Sequence, residues 1–453
     1  MKIIIAGDGK VGSTLARQLT SEGYNVTLID SDQRVLEASV ERYDVMTVHG
    51  NCASMSVLDQ AGVMDTDLLI AATSADEINL LCCTTAHAMN PGIHTIARIR
   101  TPEYTEQIYK MRELFGLSMT VNPEKQTAKE IAGLLKFPGF LRRDTFAKGR
   151  AEIVELRVDQ NSKLCNVPLI EMYSIVKCRV LVCAVLRNGT AVVPNRGDFV
   201  LQEGDRIFVT APTENLSILL KNLGVVRRRI RNVVLCGGGR VSYYLASMLD
   251  KEGIHVQIIE KNYERCLTLA EQLPDVSVVH GDAGDHSLLE SDDLLDCDAL
   301  VTLTGRDELN MIVSLYAARR GVPRVITKLR NIVKQDIIDT LALGSMVCPK
   351  ELCANEIVRY VRAMENQSGA AVSVHDIADG QIEAIEFLVD NATRNCGKAL
   401  KDIKIKPNIL VASITREGRT EIPGGNSQFR PGDTLVIVTG RQGSLRQIND
   451  IFD

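Results

Sequence analysis

The chain repeats itself, and that repeat constrains its fold more than any other feature. Lys2-Ile-Ile-Ile-Ala-Gly7-Asp-Gly9-Lys-Val-Gly12 aligns with Asn232-Val-Val-Leu-Cys-Gly237-Gly-Gly239-Arg-Val-Ser242, placing Gly7 and Gly237 230 residues apart. Asp30 and Glu260 keep that offset. His49-Gly50 and His280-Gly281 stand 231 apart, as do Thr73-Ser-Ala-Asp76-Glu77-Ile-Asn79 and Thr304-Gly-Arg-Asp307-Glu308-Leu-Asn310. Ile96-Ala-Arg98-Ile-Arg100 matches Ile326-Thr-Lys328-Leu-Arg330, and Val121-Asn-Pro123 matches Val347-Cys-Pro349. Each half is a copy of one unit, so the fold is a fold in duplicate.

Each copy begins with short β-branched runs such as Lys2–Ala6, Asn25–Ile29, Val45–Val48, Leu68–Ala71 and Thr95–Ile99. They carry little polar alternation, as expected of strands covered on both faces of a parallel sheet. Helical patterns such as Val11–Ser21 and Glu77–Met89 separate them. Strand–helix alternation predicts a doubly wound α/β sheet. Beyond Pro123 and Pro349 comes one more helix, and then the texture changes. Residues 151–210 and 382–439 read as short strands punctuated by Arg187-Asn-Gly189, Glu203-Gly-Asp205, Arg416-Glu-Gly418 and Pro431-Gly-Asp433. The expected fold is α/β: two tandem Rossmann-type domains, each followed by a small β-rich α+β domain. The boundaries expected are 1–140, 141–223, 224–366 and 367–453. The residues linking the halves include Arg227-Arg-Arg229-Ile-Arg231 and read as a solvated linker.

A length of 453 residues and 45% hydrophobic residues suit a globular chain of several cores. The net charge of −5 argues against general nucleic-acid binding, which needs a basic footprint. No apolar run reaches the roughly 18 residues of a membrane span, and the first residues read as a strand rather than a signal peptide. A cytoplasmic protein is expected, meeting a membrane only through a partner. The twelve cysteines include no C-x-x-C pair and read as reduced thiols, not metal ligands.

Gly7-Asp-Gly9-Lys10-Val11-Gly12 is a full G-x-G-x-x-G between a predicted strand and a predicted helix. Gly7 makes the tight turn, Gly9 admits a pyrophosphate to the backbone, and Gly12 lets helix and strand approach. The helix N-terminus offers free N–H groups to phosphate. Asp30, at the end of the second strand, suits ribose hydroxyls and repels a 2′-phosphate, favouring NAD(H) or another adenine nucleotide. The second motif, Gly237-Gly238-Gly239-Arg240-Val241-Ser242 with Glu260, replaces the third glycine by serine. A weaker second site is therefore expected.

Thr73 and Ser74, and Thr304 in the second half, close the fourth strands. Ser74-x-x-Glu77 has the form of a helix capping box, and Thr304-x-x-Asp307 resembles one. The same turns lie where ligands bind, so capping and binding are both open. Arg98 and Lys328 end the fifth strands, where a cation pairs with pyrophosphate or forms a surface ion pair. His49 and His280 occupy equivalent positions near the same edge, and no histidine has a catalytic neighbourhood. The helices after Pro123 and Pro349 carry Ile131, Leu134, Leu135 and Ile357, Val358, Val361, which could reach a neighbouring copy.

Together, the glycine motif, Asp30, the Thr73–Asn79 turn, the Arg98–Arg100 strand end and the tandem repeat resemble the peripheral NAD-binding subunits of Trk-type potassium uptake systems. These are built of tandem RCK (KTN) domains. The resemblance covers essentially the whole chain. It implies NAD/NADH at Gly7, Gly9, Lys10, Val11, Asp30, Thr73, Ser74 and Arg98, and at Gly237, Gly239, Arg240, Val241, Glu260, Thr304 and Lys328. Asp282 fits the family's Asp after the third-strand glycine, whereas Asn51 replaces it in the first half. The resemblance further implies a non-enzymatic gating ring under a membrane-embedded potassium-translocating subunit, with ATP or ADP competing for the sites in some relatives. The rival reading is an NAD-dependent oxidoreductase, because a Rossmann fold does not fix function. Against it, one active site needs neither a duplicated motif nor duplicated small domains.

Overall fold

The computed structural model describes residues 1–453 apart from 137–138, 195, 225–229, 291–293, 331–342, 365–370, 441–444 and 446. Arg227–Arg229 and the boundary expected at 366/367 fall outside the described residues. The chain forms two compact units.

The first unit holds residues 1–130 with 239–247 and 348–360. Its sheet comprises β1 (Lys2–Ala6), β2 (Asn25–Asp30), β3 (Met46–His49), β4 (Leu68–Ala71), β5 (His94–Arg98) and β6 (Met119–Val121). All neighbours are parallel, in the order β3-β2-β1-β4-β5-β6. β1 and β4 lie in the middle, and Ile3–Ala6 and Leu68–Ala71 are buried on both faces. That is why they read as unbroken apolar runs. Helices α1 (Lys10–Ser21), α2 (Gln33–Val40), α3 (Met55–Gln60) and α4 (Asp76–Met89) make the crossovers. The strand order reverses between β1 and β4, and in such sheets the crevice at the carboxyl ends of these two strands is where ligands sit. Gln18 Nε2 reaches Asn355 Oδ1 at 3.2 Å, and the Tyr244 hydroxyl donates to Arg100 O at 3.1 Å. These contacts join the two later segments to the first lobe.

The second unit holds residues 131–238, 248–347 and 361–453. It contains β7 (Arg142–Phe146), β8 (Ala151–Arg157), β9 (Leu181–Arg187), β10 (Thr190–Val192) and β11 (Arg206–Pro212) in antiparallel order β10-β9-β11-β8-β7. A second parallel sheet follows, β12 (Asn232–Cys236), β13 (His255–Glu260), β14 (Ser277–His280), β15 (Ala299–Thr302), β16 (Arg324–Lys328) and β17 (Ser345–Val347), ordered β14-β13-β12-β15-β16-β17. The last sheet has β18 (Ala371–Ile377), β19 (Ile382–Leu388), β20 (Ile409–Arg416), β21 (Arg419–Glu421) and β22 (Thr434–Gly440), ordered β18-β19-β22-β20-β21. Each sheet thus repeats the connectivity of its counterpart.

The turn signals act as expected. Asn188 and Gly189, between β9 and β10, both have positive φ, as do Glu417 and Gly418 between β20 and β21. A two-residue hairpin loop of this hand matches strand twist. Arg187 clamps Asp205 through 2.7 and 2.8 Å bonds, and Arg416 clamps Asp433 through 2.7 and 2.9 Å bonds. The two antiparallel sheets share a core in which Phe146, Ile153 and Phe208 meet Ile377, Ile382 and Val438.

Each small lobe has one strand ahead of the stretches read as strands at 151–210 and 382–439: β7 and β18, both inside the lobes expected at 141–223 and 367–453. Arg142-Arg-Asp-Thr-Phe146 lacks apolar alternation because its inward Asp144 is held by Arg142 at 2.9 Å and by His375 at 3.0 Å instead of by packing. In addition, Ile131, Leu134, Leu135, Ile357, Val358 and Val361 are all buried within the single chain. They therefore give no reason for a neighbouring copy.

Candidate nucleotide site

In the first lobe, the crevice residues converge on the turn after β1. Gly7 has φ +97°, and a Cβ there would lie 2.8 Å from the backbone N of Thr73. The glycine turn and the turn after β4 therefore touch, and only glycine fits between them. At Gly12 a Cβ would stand 1.9 Å from the Gly7 carbonyl oxygen, so the close helix–strand approach is real. Gly9 differs from both. It has ordinary extended φ/ψ, and a Cβ there would meet nothing within 4 Å. That space lies directly before α1. The helix has Gly9 as N-cap with no side-chain cap and no acidic residue in its first turn. Its first N–H groups and positive end are left for an anion.

Asp30 sits beside this turn. Its carboxylate accepts the Asp8 N–H at 2.7 Å and the Asp32 N–H at 2.9 Å, which fixes its orientation at the end of β2. A carboxylate has about four lone-pair positions, so acceptor capacity remains for hydroxyls. His49 pairs with Asp30 across the sheet and places Nε2 3.0 Å from Ser31 O, a structural role. Asn51 Oδ1 accepts the Ala53 N–H at 3.0 Å, and Asp282 Oδ1 accepts the Gly284 N–H at 2.9 Å. The Asn51 replacement thus keeps the turn and drops the charge. The backbone N–H of Gly284 and the ammonium of Lys261 hold the Asp282 carboxyl below its usual range.

The turn after β4 is tied by a residue with no place in the motif. Asn79, fully buried, accepts the Thr73 N–H at 2.8 Å and the Thr73 hydroxyl at 2.7 Å, and donates to Arg98 O at 2.8 Å. Asn310 does the same with Thr304 at 3.0 and 2.6 Å and Lys328 O at 2.9 Å. This clasp corrects the capping expectation. The helices start later than the boxes require: their N-caps are Ala75 and Arg306, without side-chain cap bonds. Asp76 is turned instead to the N–H groups of Arg100 and Thr101 at 2.9 and 2.8 Å, and Asp307 takes the Arg330 N–H at 3.0 Å.

Arg98 is not a surface residue. Its side chain is 16% exposed, 3.9 Å from Glu124. Its Nε has no hydrogen-bond partner among the described residues. Burial lowers its pKa, an effect that Glu124 opposes. An incompletely paired guanidinium at the carboxyl edge is suited to an anion. Lys328 differs, donating to Leu303 O at 2.7 Å.

Asp8, the variable position of the motif, adjoins the candidate site through its N–H bond to Asp30. Its side chain is 2% exposed. Burial pushes its carboxyl up to about 6, with the Asp30 charge adding and Ser39 opposing.

In the second half Gly237 has φ +110°, and a Cβ would lie 3.1 Å from Thr304. Glu260 accepts the Gly238 N–H at 2.6 Å and the Asn262 N–H at 2.7 Å, repeating the Asp30 pattern. Gly238 replaces Asp8, and a Cβ there would crowd Leu269 at 2.7 Å. Arg265 Nε donates to Gly238 O at 2.8 Å, a contact no motif signals. Gly239 leads into the helix Arg240–Lys251, which carries Val241 and the fully buried Ser242 in its first turn. A Cβ at Gly239 meets nothing within 4 Å, as at Gly9.

The same architecture occurs in known proteins. The TrkA-N domain matches residues 3–123 and 233–349, and the TrkA-C domain matches residues 153–224 and 384–453. The Trk system potassium uptake protein TrkA of Halomonas elongata is 30% identical over 100% of this chain and 98% of its own length. The Trk system potassium uptake protein TrkA homolog of Archaeoglobus fulgidus is 31% identical over 100% of both chains. Among solved structures, the GsuK RCK domain superposes with a TM-score of 0.61 at 16% identity, covering 97% of this chain and 92% of its own. The GsuK channel bound to NAD gives a TM-score of 0.61 at 17% identity, covering 97% of this chain and 77% of its own.

Proposed function

The chain belongs to the TrkA family, with its TrkA-N and TrkA-C domains each present twice, and on that premise we propose that it is a cytoplasmic nucleotide-sensing regulatory subunit. It binds NAD(H) and gates a membrane-embedded potassium-uptake protein of the Trk type, resting on the inner face of the membrane through that partner. Its RCK-like lobes self-associate into a gating ring. One observation carries the reading: the open space at Gly9, before an uncapped helix N-terminus and beside an oriented Asp30, at the strand-order reversal.

The nucleotide contacts we assign in the first lobe are Gly7, Gly9, Lys10, Val11, Gly12, Asp30, Thr73, Ser74 and Arg98. Backbone N–H groups from Gly9 onward take the pyrophosphate. Asp30 takes a ribose, Arg98 adds charge, and the Asn79 clasp holds Thr73 and Ser74 in place. Gly237, Gly238, Glu260, Thr304 and Lys328 repeat these roles, with Gly239, Arg240 and Val241 next along the chain. The acids at 30 and 260 favour NAD(H) over its 2′-phosphorylated form. A solved relative by fold is a GsuK bound to ADP, which supports ADP or ATP as competitors. The lobes are taken as 1–140, 141–223, 224–366 and 367–453, supported by the helix ends at Lys136, Leu223 and Met364.

The protein is a regulator and not an enzyme; the curated relatives carry the names of uptake proteins. No helix among the described residues is long and apolar enough to cross a membrane, so transport belongs to the partner. A nucleotide shifts the ring only by its differential affinity for two conformations, with about 1–3 kcal/mol of coupling per site. The test is rubidium flux into vesicles holding a Trk-type membrane subunit, with the chain added. Flux should differ several-fold between nucleotide-free, NAD+ and NADH conditions, and Asp30→Ala with Glu260→Ala should remove the difference. Equal flux throughout would overturn the proposal.

A further inference from the structure

A cavity of about 170 Å³ opens in the first unit beside the last strand of its sheet. Its apolar wall includes Ile99, which follows β5, and Ile108 on the helix Pro102–Met111. Its polar wall comes from two other helices. Lys125, Gln126 and Lys129 lie in the first two turns of the helix Pro123–Lys136, and Glu356 comes from the helix Pro349–Met364. None of these residues is among those assigned to the nucleotide.

Two of the polar atoms are stranded. Gln126 Oε1 and Glu356 Oε2 are buried, and neither has a hydrogen-bond partner among the described residues. Both accept, so whatever meets them must donate. Burial raises the Glu356 carboxyl above its ordinary range, and the charges of Arg359 and Lys129 oppose the rise. Asn122, on the same rim, is already committed: it donates to the Tyr244 hydroxyl at 3.0 Å and accepts the Lys125 N–H at 2.8 Å. The repeat supplies its own comparison. Val121-Asn-Pro123 aligns with Val347-Cys-Pro349, so Lys125, Gln126 and Lys129 correspond to Glu351, Leu352 and Asn355. There Glu351 takes Arg17 at 3.4 Å, and Asn355 takes Gln18 at 3.2 Å. The second copy of the helix thus packs with neither lysine, and with leucine in place of Gln126.

We propose that this cavity binds a small neutral α-amino acid as its zwitterion. The ligand's ammonium group donates to Glu356 Oε2 and Gln126 Oε1, supplying the donors that these buried acceptors lack. Its carboxylate lies against the ammonium groups of Lys125 and Lys129. A short side chain meets Ile99 and Ile108. The mixed walls decide the class. A pure anion would bring its charge to the buried Glu356 carboxylate, and a metal cation or a simple amine would bring its charge to the two lysines. Water takes only about 30 Å³ per molecule and leaves the apolar wall unanswered. The volume also falls below the roughly 300–1,000 Å³ of pockets that hold larger ligands. No nucleotide contact enters this assignment, so it stands or falls apart from the nucleotide site.

The test is equilibrium dialysis of radiolabelled L-alanine, L-serine and L-threonine against the full chain, with acetate and ethylammonium as competitors. At least one of the three amino acids should bind saturably, one per chain. Acetate and ethylammonium each carry half of the zwitterion and should compete at least about tenfold more weakly. Two variants test the walls: Glu356→Gln, and Gln126→Leu with Lys129→Asn, the residues that the second copy of the helix already carries. Each should weaken binding at least about tenfold, the size of one lost charged hydrogen bond, while the urea midpoint stays at or above that of the wild type. No saturable binding of any of the three up to about 10 mM, the result if water alone enters, would overturn the site. Acetate competing as well as the amino acid would make it an anion site, and ethylammonium doing so a cation site; either overturns the proposal, as would wild-type affinity in both variants. The competition series uses wild-type protein, so it judges the site whether or not a variant folds.

Discussion

Replacing Gly12 with alanine separates the packing role of the glycine motif from its binding role. The new Cβ would sit 1.9 Å from the Gly7 carbonyl oxygen and 3.0 Å from the Gly7 carbonyl carbon. A carbon–oxygen contact normally needs about 3.3 Å, so α1 and the Gly7 turn must separate by about 1.4 Å. Both partners are backbone, so no side-chain rotation relieves the clash. Overpacking of this kind costs about 1–3 kcal/mol. The displaced N–H groups of α1 lose part of the roughly 1 kcal/mol that each phosphate hydrogen bond contributes. A tenfold or greater loss of NADH affinity should accompany the stability loss. Because the chain has no tryptophan, unfolding is followed by circular dichroism against urea, and binding by calorimetry. Gly9→Ala is the control: with nothing within 4 Å of its Cβ, it should keep the wild-type unfolding midpoint and still lose affinity. A Gly12→Ala protein with wild-type midpoint and wild-type NADH affinity would mean that neither packing nor binding needs glycine at this position.

Asp30→Ala should weaken NADH binding by about 1–3 kcal/mol, since a charged hydrogen-bond acceptor is lost; titration calorimetry reads it. Asn79→Ala should destabilise the first lobe by roughly 2–4 kcal/mol, because the Thr73 N–H and hydroxyl and the Arg98 carbonyl lose a buried partner; urea midpoints measure it. Asp8 carries a pH effect. Its folded pKa of about 6 lies above the ordinary carboxyl value of 3.8, so the folded state holds the proton more tightly. Its contribution is favourable below about pH 4, falls as pH rises to about 6, and then stays flat, spanning at most about 3 kcal/mol. Asp8→Asn should flatten the urea midpoint over pH 4–6 relative to wild type and raise it at pH 7.

The repeat and its strand–helix alternation were legible because parallel strands buried on both faces leave continuous apolar runs. The glycines at 7, 9 and 12 were legible for a related reason: each answers a steric demand of the turn, and the structure places a backbone atom or an open space against each one. The first strands of the small lobes were not legible. Asp144 is buried there through Arg142 and His375, and no periodicity records a partner more than 200 residues away. Asn79 stands in the repeated Thr73–Asn79 turn and its counterpart Asn310 keeps the register, but spacing alone assigns it no role. Its meaning lies in three hydrogen bonds to two different strand ends. Arg98 was read as equally suited to solvent or ligand, and only its burial decides that it is not a surface charge.

Equilibrium NADH titration of four proteins decides whether each half holds one nucleotide at its glycine turn. Gly9→Asp and Gly239→Asp place a carboxylate in spaces that are open in this fold, so the chain should stay folded while phosphate is repelled. The wild type should bind two NADH per chain. Each single variant should bind one, more weakly when Gly9 is the residue replaced, and the double variant none. A double variant that binds NADH like the wild type, or a wild type that binds none, would place the nucleotide elsewhere or rule it out.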